Sequence, residues 1–251
     1  MMLQLYGNLP ATLRHIGLAV LGLVLLTGFD DGLVRAEDKK PTPCNEDAMI
    51  VFDASGSMSG NQTLGIPNSE ARIDQVRSAL AEVLPSATKF RKVGLITYGP
   101  GPYNQCNVKL EMKPAPDAAE PIMNAVNALV PAGKTPLTSA VEQAANVLDY
   151  TNKPGVIVVV TDGEETCGRS PCELAKHLHA TAKQLTIHVI AFRYDTFSWT
   201  GGNSVMDLMC LAETTDGLYT KVNTDEDLVH ALEKTLDCPM VSQASPTTLT
   251  K

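Results

Sequence analysis

The chain has 251 residues, 44% of them hydrophobic and 19% charged, enough apolar material for one large core and far from the composition of a disordered protein. Its 28 Asp and Glu outnumber its 20 Lys and Arg, giving a net charge of −8, so the basic character that a nucleic-acid binder needs is missing. At the start of the chain, Arg14 and His15 precede the apolar run Ile16–Phe29, too short for a comfortable membrane span, and Val34-Arg35-Ala36 matches the pattern a signal peptidase reads. Residues 1–36 are therefore expected to be a signal peptide cleaved after Ala36, with an uncleaved N-terminal anchor as the alternative. No later stretch resembles a transmembrane helix, so no membrane span is expected in the mature chain. All 6 cysteines (Cys44, Cys106, Cys167, Cys172, Cys210, Cys238) follow that segment, and an even number in an exported chain points to disulfides.

Residues 37–46 are polar and proline-punctuated, an extended lead-in, and the Ser- and Thr-containing stretch 239–251 reads as a flexible tail. Between them, 47–238 is expected to be one domain. The runs 48–52, 93–98, 156–160 and 187–192 are continuous and rich in β-branched residues, as parallel strands covered on both faces should be. Between the first two, Ile73, Val76, Leu80, Val83 and Leu84 share one helical face, with Pro85 as a stop. The segment 106–112 is expected to fold back as an antiparallel edge strand, since only a short Gly, Pro and Asn loop separates it from Tyr98. Pro136 opens a helix whose buried stripe is Leu137, Ala140, Val141, Ala144, Ala145 and Leu148. Further helices fit 171–183 and 224–236, the last with Thr224 as its N-cap. This alternation predicts a doubly wound α/β domain with a mainly parallel sheet, one antiparallel edge strand and helices on both faces.

In such a sheet, ligands bind beyond the carboxyl ends of the strands. There the first central strand runs into Asp53-Ala54-Ser55-Gly56-Ser57, a carboxylate and two hydroxyls at alternate positions on one tight turn. Oxygen-only donors of this kind suit a hard divalent cation such as Mg²⁺. Two more oxygen donors stand at element ends: Thr135 just before the Pro136 helix, and Asp162 after the most apolar strand. Each residue also reads more simply. Asp53 and Ser55 can close a turn, Thr135 can cap a helix, and Asp162 can make an Asx-turn with Gly163.

Taken in order, the five residues resemble the metal-ion-dependent adhesion site of von Willebrand factor A domains, and the segment 211–219 with its following helix resembles that family's last strand and helix. The resemblance spans about 47–237 and is closest to bacterial exported proteins carrying a single A domain. It implies a Rossmann-like fold in which Ser55 and Ser57 coordinate the cation directly, Asp53 and Asp162 hold it mainly through waters, and Thr135 joins when a ligand engages. Mg²⁺ is the expected ion, with Mn²⁺ or Ca²⁺ as substitutes. The implied partner is a protein presenting Asp or Glu.

The function expected is therefore an exported, periplasmic or secreted, metal-dependent protein-binding module that is not an enzyme. One alternative is a Mg²⁺-dependent hydrolase or phosphoryl-transfer enzyme, against which Ser55 stands where an aspartyl-phosphate site needs a second acid, and the motifs H-E-x-x-H, G-x-S-x-G and G-x-x-x-x-G-K-[ST] are missing. Another is a structural envelope protein that uses the domain only to dock.

Several weaker signals remain. Glu164 and Glu165 offer a second cation site or a solvated loop. Cys167 and Cys172 are close enough for a local disulfide, or with His177 and His179 for a zinc site. Cys44 and Cys238 flank a fold whose ends lie close together and are expected to pair, leaving Cys106 and Cys210 by elimination, or free, or in intermolecular bonds. The loop from Met58 to Glu70 and the stretch around Trp199 are candidate contact surfaces.

Overall fold

The computed structural model describes residues 44, 46–60, 70–193 and 203–238. The expected signal segment, the tail from Pro239, Trp199 and most of the 58–70 loop lie outside the described residues. The apolar runs form strands β1 (Asp47–Asp53), β2 (Val93–Tyr98), β4 (Pro154–Thr161) and β5 (Gln184–Phe192), joined by β3 (Val108–Ala115) and β6 (Tyr219–Val222) in one six-stranded sheet of order β3-β2-β1-β4-β5-β6. All neighbours are parallel except β2 and β3. The expected α/β architecture and its antiparallel edge are therefore present, with the edge strand two to three residues later than the sequence pattern placed it.

Side chains alternate between two cores, as the period of two in a strand requires. Ile50, Phe52, Val158, Val160 and Ile190 face α1 (Arg72–Phe90), α2 (Ala119–Asn127) and α6 (Asp225–Leu236). Met49, Val51, Ile157, Val159 and Val189 face α3 (Leu137–Val147), α4 (Pro171–Thr181) and α5 (Asn203–Glu213). Covering on both faces explains why β1, β2 and β4 read as unbroken apolar runs.

The helix ends follow local chemistry. Ser170 caps α4 by accepting the Glu173 N–H, with Pro171 at its first position, and Thr224 caps α6 by accepting the Asp227 N–H. The first helix corrects the reading of Pro85 as a stop: α1 continues to Phe90. Pro85 sits on the solvent side, where water can satisfy the freed carbonyl, while Ala87 and Thr88 extend the buried stripe on the other side. Helices α2 and α5 carry too few periodic apolar positions to be read from sequence, and the segment 211–219 likened to the last strand holds the end of α5, the strand itself being β6 from Tyr219.

The strand order turns at β1, which lies between β2 and β4. The chain leaves the carboxyl end of β1 at this switch point, where open α/β sheets place their ligands.

Candidate metal centre

Asp53 is the last residue of β1 and is fully buried. Its Oδ1 accepts the Ser55 N–H at 2.7 Å, closing the turn, and its Oδ2 accepts the hydroxyls of Tyr98 at 2.9 Å and Thr161 at 2.6 Å. The closed turn leads into a short 3-10 segment, Gly56–Ser59, which brings the Ser57 hydroxyl within 3.0 Å of the Ser55 hydroxyl. Ser57 in turn donates to Asp162 Oδ1 at 2.7 Å. The loops that follow β1 and β4 are thus joined through one hydroxyl, between residues 105 apart in sequence.

Thr135 reaches the same place through its backbone. The Gly56 N–H donates to the Gly133 carbonyl at 3.0 Å, which fixes the approach to α3 beside the Asp53 turn. Thr135 then exchanges bonds with the loop after Asp162: its N–H donates to the Thr166 hydroxyl at 2.8 Å, and its carbonyl accepts the Thr166 N–H at 3.0 Å. A Cβ built on Gly163 would stand 3.6 Å from Ser57 Oγ and 3.9 Å from Thr135 Oγ1, so both hydroxyls border one point. The structure brings all five sequence candidates together at the carboxyl ends of β1 and β4.

The simpler readings hold only in part. Asp53 does close its turn, but its second oxygen faces two hydroxyl donors from β2 and β4. Gly163 N–H donates to the Thr161 hydroxyl at 3.2 Å, a turn closed by the residue before Asp162. Helix α3 is capped from a distance, because the Thr138 N–H donates to Glu165 Oε2 at 2.8 Å.

Burial, and after it the charge of Asp162, pushes the Asp53 carboxyl up to about 6. Burial likewise raises Asp162, against the pull of Ser57 and Arg72. Burial and the facing Asp53 carboxylate raise the Tyr98 phenol, which therefore stays protonated as a donor. Two buried carboxylates with raised proton affinity form a centre short of positive charge. Among the described residues no three His, Cys, Asp or Glu side chains converge. A cation here would rest on two carboxylates and three hydroxyls, an all-oxygen set that fits a hard ion such as Mg²⁺.

Sequence reasoning missed several supporting groups. Arg72 at the start of α1 lies 2.9 Å from Asp162 Oδ2. Glu165, considered above for a second cation site, is spent on two backbone donors, Thr138 N–H and Cys167 N–H. Exchanging Glu165 for alanine should strand both donors and destabilise the protein by about 1–2 kcal/mol, read as a lower midpoint in urea unfolding.

The cysteines also correct the sequence reading. Cys44 pairs with Cys238 as expected, but Cys167 pairs with Cys106 and Cys172 with Cys210. The local Cys167–Cys172 bridge, and with it the zinc alternative, is excluded because the two sulfurs belong to different disulfides. The loop after Asp162 is tied to the β2–β3 loop, while Cys172 on α4 faces Cys210 on α5. Sequence proximity was the wrong guide, because loops distant in sequence meet at the same end of the sheet.

Gly99 shows how tightly those loops meet. Its φ is +75°, and a Cβ there would lie 2.7 Å from the Lys134 carbonyl and from Ser55 backbone atoms. Gly99→Ala should therefore cost about 2–4 kcal/mol, measured by chemical denaturation, and should weaken cation binding by displacing the Ser55 turn.

A separate cavity of about 620 Å³, lined by Arg91, His188, His230 and Lys234 among others, lies at the amino ends of β4 and β5, away from this centre. It contains none of the five oxygen donors.

Residues 48–165 match the von Willebrand factor type A domain family. The uncharacterized YwmC protein of Bacillus subtilis (strain 168) is 28% identical over 189 residues, covering 68% of this chain and 79% of its own length. The vWF domain of the type V pili tip protein Mfa5 from Porphyromonas gingivalis superposes with a TM-score of 0.57 at 12% identity, covering 78% of this chain and 95% of that one. Proximal thread matrix protein 1 of the mussel byssus, in a structure with a zinc-occupied MIDAS motif, superposes with a TM-score of 0.54 at 16% identity, covering 78% of this chain and 48% of that one. The structural likenesses speak for the fold, and the match to the von Willebrand factor type A domain family runs from β1 through the loop after β4.

Proposed function

We propose that the chain is an exported binding module that captures an acidic side chain of a protein partner through a divalent cation held by Asp53, Ser55, Ser57, Thr135 and Asp162. Mg²⁺ is the preferred ion of this reading, with Mn²⁺ or Ca²⁺ as substitutes. The observation that carries it is the gathering of three hydroxyls around two buried carboxylates whose proton affinity is raised. Asp53 and Asp162 supply the charge, and the hydroxyls supply neutral oxygens. The backbone bonds of Gly133 and Thr166 hold Thr135 in reach of both. When bound, the cation would supply an open coordination position for a carboxylate. The pili tip protein domain and the zinc-occupied MIDAS motif among the structures it superposes on support a metal-dependent binding role.

Export belongs to the same reading. Three disulfides fit an oxidising compartment. They accord with a signal peptide at 1–36, a lead-in at 37–46, a domain at 47–238 and a tail at 239–251.

The test is calorimetric titration of Mg²⁺, Mn²⁺ and Ca²⁺ into the oxidised, chelator-treated protein, followed by acetate or a glutamate peptide. A one-site isotherm, with carboxylate binding that vanishes on chelation, is the expected result. Absence of cation binding both with and without acetate would sink the reading.

A further inference from the structure

We propose that the Cys106–Cys167 disulfide is a thiol-sensitive clamp on the segment that carries Thr135, opened by an external dithiol while the other two bridges stay closed. Its effect on backbone order stands by itself, and its effect on cation affinity rests on the metal-dependent reading above. The segment 133–138 is held from two sides. From the β2–β3 loop, the Gly99 carbonyl accepts the Gly133 N–H at 2.8 Å and the Gln105 carbonyl accepts the Lys134 N–H at 3.0 Å. From the loop after Asp162, Thr166 exchanges two bonds with Thr135, and Glu165 accepts the Thr138 N–H. The half-cystines follow those partners directly: Cys106 comes after Gln105 and Cys167 after Thr166. The disulfide therefore closes a ring that runs from Lys134 through Gln105, Cys106, Cys167 and Thr166 to Thr135. Cys167 N–H also donates to Glu165 Oε1 at 2.6 Å, which ties the cap of α3 to the same ring.

Access singles this bridge out. Cys106 is exposed, whereas the other five half-cystines are partly buried, and thiol–disulfide exchange needs access to the sulfur that is attacked. A thiolate of the dithiol attacks Cys106 Sγ, the Cys106–Cys167 bond breaks, and Cys167 leaves as a thiolate. The second thiol of the reagent then displaces Cys106 from the mixed disulfide and closes the reagent's own disulfide. Two electrons and two protons pass from the dithiol to the two cysteines. Opening the ring returns chain freedom to two loops that were covalently joined, and the hydrogen bonds at Thr135 and Thr138 must then hold the loops against that entropy. Gly133 keeps a tie outside the ring, since its carbonyl accepts the Gly56 N–H at 3.0 Å. The loss therefore falls on Thr135, a candidate ligand, and on Thr138 in the first turn of α3.

The experiment treats the oxidised, cation-free protein with dithiothreitol, alkylates timed samples with iodoacetamide and maps the labelled cysteines by mass spectrometry. Hydrogen exchange over 133–138 and Mg²⁺ calorimetry are then measured on unalkylated protein at the stage of first labelling. Cys106 and Cys167 should be labelled before the other cysteines. Exchange over 133–138 should rise at least about tenfold, Mg²⁺ affinity should fall about tenfold, and re-forming the bridge with oxidised glutathione should restore both. Because the coupling is reciprocal, saturating Mg²⁺ should shift the bridge's thiol–disulfide equilibrium toward the disulfide by that same factor. The double variant Cys106→Ser, Cys167→Ser should show the raised exchange without dithiothreitol and no further change with it. Earlier labelling of another bridge overturns the proposal, as does opening of Cys106–Cys167 with exchange over 133–138 unchanged. Faster exchange with unchanged Mg²⁺ affinity overturns the clamp's control of the centre. An oxidised protein that binds no Mg²⁺ overturns the metal-dependent reading, while the exchange result still decides the clamp.

Discussion

Asp53→Asn should lower divalent-cation affinity by at least about a hundredfold, because it removes one of the two buried carboxylates at the centre among the described residues without adding volume. Calorimetry at pH 7.5 checks this, and a variant within a few-fold of wild type would refute Asp53 as a ligand. The pH dependence supplies an independent check. In the cation-free protein the Asp53 carboxyl is raised to about 6 from an ordinary 3.8, so between those values the folded state holds a proton that the unfolded state has released. Stability from this group is therefore fully present below about pH 4 and is lost as pH rises through 6, by an amount on the order of 2–3 kcal/mol.

His188 works in the opposite direction. Burial, with Arg91 and Lys234 nearby, pushes it down to about 4 from 6.5, so its contribution is present above 6.5 and is lost as pH falls toward 4. The clean measure is thus the difference between wild type and Asp53→Asn in urea unfolding across pH 4–7. It should narrow toward neutral pH as wild type loses the advantage of its proton. Cation binding follows the same proton with the opposite sign, and affinity should fall up to about tenfold per pH unit below 6.

Removing the Cys44–Cys238 bridge by paired serine substitution should cost about 5 kcal/mol, because the bridge closes a loop spanning a sequence separation of 194 residues in the unfolded chain. For a domain of this size that amounts to a fall of roughly 10–20 °C in unfolding midpoint, a large share of ordinary domain stability. The bridge joins the entry to β1 with the end of α6, at the opposite end of the sheet from Asp53. Variant protein that remains folded should therefore bind cations as wild type does. Paired replacement of Cys106 and Cys167 should behave differently. The shorter separation of 61 residues gives a cost of about 4 kcal/mol, but cation affinity should fall as well, because Cys167 follows the Thr166 that holds Thr135. Thermal unfolding and calorimetry on the two double variants separate the effects. Equal cation affinity in both would refute a role for the Cys106–Cys167 bridge at the centre.

Strands β1 to β5, helices α1, α3, α4 and α6 and the five candidate oxygen donors were legible in the sequence because each leaves a local mark. A strand covered on both faces is a continuous apolar run, an amphipathic helix repeats every three to four residues, and donors at the ends of such elements must fall on one side of a parallel sheet. Pro85 misled because an interior proline ordinarily ends a helix, whereas here it falls on the exposed face and the buried stripe continues through Ala87 and Thr88. The identity of Asp53 as a carboxylate at a strand end was visible, but its burial and raised proton affinity were not, since these depend on Tyr98 and Thr161 arriving from two other strands.

The sequence by itself determined the fold class, five of the sheet's six strands and the order of the candidate oxygen donors, because these follow from periodicity and from residue type at element ends. Only the tertiary structure decided the two other disulfides, the capping of α3 by Glu165 and the grip of Arg72 on Asp162. Each joins residues at least 27 positions apart whose encounter depends on strand order and loop packing, neither of which is encoded in any local stretch of the chain.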